Sequence, residues 1–209
     1  MNNLVRYKRL RLLVHGVNQG RKRQAKKIDI LCNDLIGAHR NLIKKVDELR
    51  FAANFYQSII AIRNLDDLLD TAGSFLEGEI KDAKIIFFLR QGESFSAFSS
   101  KYPEKENEQS RPLESFFTNE VLNDICSYNR PSNLDEMMTM GLQVVPSMLN
   151  NLSAFAVPLF SGGNSIGFVL IYRTSQEQIR PEQIDVINSV SNGLARAIIS
   201  CQAVYSKSE

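Results

Sequence analysis

Between Leu152 and Ile198 the chain leaves little freedom in what it can fold into. A run ending in Val157-Pro158-Leu159-Phe160 meets Ser161-Gly162-Gly163-Asn164, and Ile166-Gly167-Phe168-Val169-Leu170-Ile171-Tyr172 follows at once. Paired glycines supply the positive φ that a tight hairpin needs, and apolar, strand-prone residues on both sides predict two antiparallel strands. Pro181 has the fixed φ that suits a first helical position, and Glu182 beside it complements the positive end of the helix. A hairpin feeding a long terminal helix predicts the close of an α+β domain, and no catalytic motif lies in it.

Length and composition set the scale of that domain. The 209 residues accommodate one well-buried domain of roughly 150 residues plus an appendage. An apolar fraction of 44% with twelve Phe predicts a folded core. The longest strongly apolar run, Ile166–Tyr172, is far short of the ~20 residues a membrane-spanning helix needs. Leu12-Leu13-Val14 is too short for a secretory signal, and Arg9 and Arg11 interrupt its approach. Cys32, Cys126 and Cys201 stand far apart without CxxC spacing, which predicts reduced thiols, a cytoplasmic protein and no structural zinc site.

The net charge of +2 conceals an asymmetry. Residues 1–27 hold nine basic side chains (Arg6, Lys8, Arg9, Arg11, Arg21, Lys22, Arg23, Lys26 and Lys27) and no acid, so the remainder carries −7. Such an arm suits phosphates on nucleic acid or on an anionic membrane surface, or an acidic protein partner; a merely solvated arm is the alternative. Aromatic interleaving is limited to Tyr7, which weakens a case for base stacking.

Along the chain the reading is of three parts: a basic arm over 1–27, a long helix over 28–60, and a domain over 61–209. Leu4–Val14 is basic and partly amphipathic, and Gly16 and Gly20 are expected to interrupt any helix there. A second helix is expected to start near Ala25. Its apolar stripe runs Ile28, Leu31, Leu35, His39, Leu42, Val46, Leu49, Ala53, Tyr56 and Ile60 in steps of three and four. That stripe either packs along its own domain or forms the seam of a parallel dimer. Asn64 is a candidate N-cap, with Asp66 and Asp67 in the first turn of a helix that Gly78 ends. Strands are predicted at Ala83–Leu89 and Ser94–Ser99, with Phe95 and Ala97 on one face and Phe98 on the other. A polar loop at Lys101–Pro112, a helix over Leu113–Tyr128, and a methionine-rich stretch over Met137–Asn150 with one short helix complete the order.

This order of elements resembles a GAF domain. The residues that carry the likeness are Asn64-Leu65-Asp66-Asp67-Leu68-Leu69, Ala83-Lys84-Ile85-Ile86-Phe87-Phe88-Leu89, the hairpin strands Ser153–Leu159 and Ile166–Leu170, and the helix from Pro181-Glu182 to Gly193-Leu194-Ala195-Arg196-Ala197-Ile198. It spans about Phe51–Tyr205. The resemblance implies an antiparallel sheet of five or six strands, helices on one face, a small-ligand cavity on the other, and a homodimer formed through the first and last helices. Ile184, Ile187, Leu194, Ile198, Cys201 and Tyr205 form one stripe of the terminal helix, and Val186, Val190, Ala197 and Val204 widen it, as a helix with two surfaces to cover requires. The expected dimer seam therefore combines Leu31, Leu35, Leu42, Val46 and Leu49 with Ile187, Leu194 and Cys201.

Chemistry is sparse. The Asn-Lys…Phe…Asp-Glu arrangement of cyclic-nucleotide-binding relatives is absent, and Cys126 is followed by Ser127-Tyr128 where bilin-binding relatives place a His. GxxxxGK[ST], HExxH and GxSxG are absent too, and His15 and His39 alone cannot build most acid–base sites. The expectation is a chain that is not an enzyme and has no cofactor, with Phe87, Phe155, Met138, Met140 and Cys126 around any ligand pocket. Two functions remain open. One is a regulatory GAF-like dimer that binds a small ligand or a protein partner. The other is an adaptor or assembly protein with a filled pocket, binding a partner or an anionic surface through its arm. Only four residues follow Tyr205, so an effector is expected on another polypeptide or in a segment outside this sequence.

Overall fold

Continuous apolar runs along two central strands build the domain around a sheet buried on both faces. In the computed structural model, which describes residues 3–92, 94–99, 113–149, 151–175 and 177–205, the chain forms two units, Met1–Leu49 and Arg50–Glu209. The loop expected at Lys101–Pro112 and the side chains of Met148, Val204 and Tyr205 lie outside the described residues. Helix α1 (Asn3–Ile59) comes first, then α2 (Leu65–Glu79), β1 (Lys84–Gln91) and β2 (Ser94–Ser99). After a short 3₁₀ turn at Leu113–Phe116 come α3 (Asn119–Ser127), β3 (Ser132–Asn133), α4 (Leu134–Thr139) and α5 (Pro146–Leu149). The hairpin strands β4 (Leu152–Ser161) and β5 (Asn164–Thr174) and the terminal helix α6 (Pro181–Tyr205) close the domain.

The sheet is antiparallel throughout, in the order β2-β1-β5-β4-β3. Ile85, Phe87 and Leu89 of β1, Val169 and Ile171 of β5, and Val157 and Leu159 of β4 face α2, α6 and the last turns of α1 in one core. Ile86, Phe88, Phe168, Leu170, Tyr172, Ala154 and Ala156 face the other way and are covered by α3, α4 and the segment around Leu142. Period two sends each neighbour to the opposite core, so a register slip of one residue would exchange them. Full burial of a side chain such as Phe87 or Phe168 contributes about 1.5–3 kcal/mol.

Turn chemistry fixes that register. Gly162 and Gly163 take φ of 61° and 86°, the two positive values a tight primed hairpin turn requires, and Ser161 pairs with Asn164 across them. Gly167 has a different task. A Cβ there would stand 1.9 Å from the Phe88 carbonyl oxygen, so β1 and β5 approach as they do only because position 167 has no side chain. Asn64 caps α2, its side chain accepting from the Asp66 amide at 3.0 Å. Asn133 and Glu136 form a reciprocal capping box that starts α4.

Several sequence expectations need correction. No break occurs at Gly16 or Gly20, and no new helix begins near Ala25: α1 is one helix of 57 residues. Each glycine costs about 1 kcal/mol in a helix, but the Arg, Lys, Leu and Gln on either side of the pair favour it and no proline interrupts. The helix expected over Leu113–Tyr128 is divided, because the Thr118 side chain accepts from the Val121 amide and starts α3 afresh. α2 runs one residue past Gly78. Strand β3 was not foreseen.

Candidate functional site

The last two turns of α1 and the second half of α6 flank a groove on the outer side of the helical layer. Tyr56 and Ile59 line it from α1, Ile60, Ile62 and Arg63 from the connection that follows, and Gly193, Arg196, Ala197, Ser200 and Cys201 from α6, around a volume of about 480 Å³. Ligand pockets commonly enclose about 300–1,000 Å³, so the groove is of ligand size. Gly193 makes it. A Cβ there would come within 2.2 Å of Tyr56 Cε1 and 2.5 Å of its hydroxyl oxygen, so the phenol lies against bare helix backbone.

The floor of the groove is apolar and its rim is cationic. Ile60 is exposed and Ile59 buried, while Arg63 and Arg196 are exposed and pair with no carboxylate among the described residues. The Ser200 hydroxyl donates to the Arg196 carbonyl at 2.9 Å. The Cys201 thiol points to the Ile62 carbonyl at 3.9 Å, and burial pushes its pKa up, keeping it protonated and poorly nucleophilic. Chemically the groove can hold an apolar group with an anionic end, or the face of another helix.

On the opposite side of the sheet the lid is packed. Phe88 and Phe168 stack at 4.9 Å between centroids, and Phe117 lies 5.4 Å from Phe88 and 6.1 Å from Phe168. Leu113, Ile125 and Met137 have no exposed surface. Tyr172 donates its hydroxyl to Glu114 Oε2 at 2.8 Å, and burial first, that carboxylate second, holds its pKa well above the usual tyrosine value. Cys126 is buried on the inner face of α3. Burial raises its pKa, against smaller opposing effects from the Ser165 hydroxyl and Arg90.

The five residues expected around one pocket are not brought together. Cys126 and Met140 belong to the lid-side core, Met138 is exposed, and Phe87 and Phe155 pack on the opposite face of the sheet. Residues 87 and 155 are odd-numbered positions on their strands, and the even positions face the lid. The expected seam divides as well. Leu31, Leu35, Leu42, Val46 and Leu49 are 67%, 70%, 62%, 54% and 69% exposed on α1. Ile187, Leu194 and Cys201 are buried in the domain's own core, because that face of α6 covers the sheet; only Cys201 also borders the groove. All nine cations of the arm, from Arg6 to Lys27, are exposed on α1. The groove itself was not foreseen; Gly193, facing an aromatic residue on a neighbouring helix, was its only trace in the sequence. Among the described residues no three His, Cys, Asp or Glu side chains gather to hold a metal, and no helix is long and apolar enough to cross a membrane.

No family model matches the chain, and no curated protein matches it significantly. Solved structures do. The GAF domain of a phosphoenolpyruvate-protein phosphotransferase from Coxiella burnetii superposes with a TM-score of 0.57 at 15% identity, over 77% of this chain and 98% of that one. The GAF domain of the potassium sensor histidine kinase of Escherichia coli gives 0.52 at 16% identity, over 76% and 98%. A free methionine-R-sulfoxide reductase from Neisseria meningitidis, solved with its substrate, gives 0.54 at 13% identity, over 75% and 91%. The fold is GAF-like. The third match overturns the expectation that this chain is not an enzyme: a protein of similar fold is a reductase, and an absence of familiar motifs does not exclude catalysis.

Proposed function

We propose that this chain is a GAF-type regulatory module that works as a dimer paired along α1 and responds to a ligand or protein partner at its domain. The observation that carries the reading is the row of Leu31, Leu35, Leu42, Val46 and Leu49, all more than half exposed at helix-repeat spacing. The two cores are built from residues 51 onward, so these five are not needed to complete them. Each Leu or Val fully buried on pairing contributes about 1.5–3 kcal/mol, set against the cost of association. GAF domains of a sensor kinase and a phosphotransferase among the structural matches support a regulatory role. The groove beside Tyr56 and Gly193 is the binding surface this reading favours, since an apolar floor with Arg63 and Arg196 at its rim suits an anionic amphiphile or an acidic helix.

Light scattering on the full chain tests the pairing. A dimer at micromolar concentration is expected, and Leu42→Lys weakens it by placing an uncompensated charge in the seam. A monomer at that concentration overturns the reading. The adaptor alternative is favoured by one observation, the Phe88–Phe117–Phe168 packing that fills the lid-side face. Native mass spectrometry of protein from its host separates the two: a retained small molecule supports the ligand-responsive module, and a retained protein the adaptor.

A further inference from the structure

Residues 6–27 of α1 are amphipathic. At 3.6 residues per turn, Tyr7, Leu10, Leu13, Val14 and Val17 share an arc roughly 120° wide. All five are exposed. Lys8, Arg9 and Arg11 occupy the other side, and one turn past Gly20 the second cluster, Lys22, Arg23, Lys26 and Lys27, falls on that same side. Arg6 and Arg21 fall within the arc itself, one just before and one a turn after its apolar residues along the helix, and Leu12 is the one large apolar side chain among the other seven cations. The unbroken helix matters here: a break at Gly16 or Gly20 would have turned the two basic clusters to unrelated directions.

We propose that residues 6–27 bind an anionic phospholipid surface, lying in its plane with the Tyr7–Val17 arc in the acyl boundary and the cations at the headgroup phosphates. The apolar arc chooses between anionic partners. A nucleic-acid duplex offers phosphates but nothing to cover five exposed apolar side chains, whereas a membrane interface accepts both halves of the helix. Seven of the nine cations spread over nearly half the circumference, a span suited to a plane of phosphates more than to one acidic strip on a protein. Long Lys and Arg stems flanking the arc can lay their methylenes along the apolar layer and keep their charges in the headgroups. This surface is separate from the groove on the domain, and its test does not depend on the dimer.

Sedimentation of the full chain with vesicles decides the matter. Binding is expected to equimolar phosphatidylcholine–phosphatidylglycerol vesicles and not to phosphatidylcholine alone. Each neutralised cation weakens partitioning about fivefold, so Lys22→Gln/Arg23→Gln/Lys26→Gln together lower it about a hundredfold. Leu10→Gln/Leu13→Gln/Val17→Gln is expected to abolish vesicle binding while leaving any affinity for duplex DNA unchanged, with circular dichroism confirming that helix content is retained. Equal binding to neutral vesicles, full binding by the apolar triple variant, or binding to duplex DNA without binding to phosphatidylglycerol vesicles would each overturn the proposal.

Discussion

Two glycines show how the same missing side chain carries different weight. A Cβ at Gly167 would meet the Phe88 carbonyl oxygen at 1.9 Å, and the residue sits at φ 148°. That neighbour is backbone in the β1–β5 ladder and cannot turn aside. Gly167→Ala is expected to cost about 3 kcal/mol or more, from strain and a disrupted ladder together, read by urea unfolding. At Gly193 the clash is with the outer atoms of the Tyr56 ring, which can rotate into the groove, and alanine favours the helix by about 0.5–1 kcal/mol. Gly193→Ala is therefore expected to cost under about 1 kcal/mol while closing the groove, which a crystal structure or altered Tyr56 resonances would report. The ionisable residues add a pH dependence. Tyr172, Cys126 and Cys201 all have pKa values raised by burial. The folded state holds these protons more tightly than the unfolded chain, so stability is complete below the unfolded values and falls as pH rises past them. Those values are about 8.5 for cysteine and about 10 for tyrosine. Tyr172→Phe is expected to flatten the decline between about pH 10 and 12, and an unchanged slope in denaturant melts would remove Tyr172 as its cause. Ellman's reagent should find Cys32 accessible in the native protein and Cys126 and Cys201 protected until unfolding.

The elements show which signals in a sequence translate directly. Asn64 before Asp66-Asp67 and the paired glycines at 162 and 163 act through a few adjacent atoms, and the structure uses each as its chemistry dictates. Asn64→Ala is expected to cost about 1 kcal/mol in stability. Signals of cumulative propensity are less direct. Gly16 and Gly20 read as breaks, yet a continuous helix tolerates them because their cost is spread against many favourable neighbours. With the break removed, the apolar row of α1 begins at Leu10, Leu13 and Val17 and resumes at Ile28, so arm and seam belong to one element. Strand faces lie between these extremes. Phe87 and Phe88 differ only in parity, and which parity faces the lid depends on where α3 and α6 settle. That is why Phe87 and Phe155, expected beside Cys126 and Met140, lie on the other face of the sheet, and why Ile187 and Leu194, expected in a dimer seam, are covered by the domain's own core. The groove was the least legible feature, since its walls come from residues more than a hundred positions apart.

At the scale of the whole molecule, the basic arm ends well before the packed cores begin. Residues 1–27 carry nine cations and no acid, and the rest carries −7. The packed cores draw on residues from Phe51 onward. Folding of the domain and binding by the arm are therefore expected to separate cleanly. The side chains of residues 6–27 are exposed and none belongs to either core, so on removing residues 1–27 the domain's stability should change by less than about 0.5 kcal/mol, a Tm shift under about 2 °C. The same deletion reverses the net charge from +2 to −7 and is expected to abolish binding to anionic vesicles. It leaves Leu31, Leu35, Leu42, Val46 and Leu49 in place, so light scattering should still find a dimer. A deletion through Leu49 removes the row as well and is expected to give a folded monomer. A cooperative melt near the full-length Tm would show that the domain stands on its own cores. Loss of that transition on deleting 1–27 would mean that the arm stabilises the domain, and the division of labour argued from charge and packing would fall.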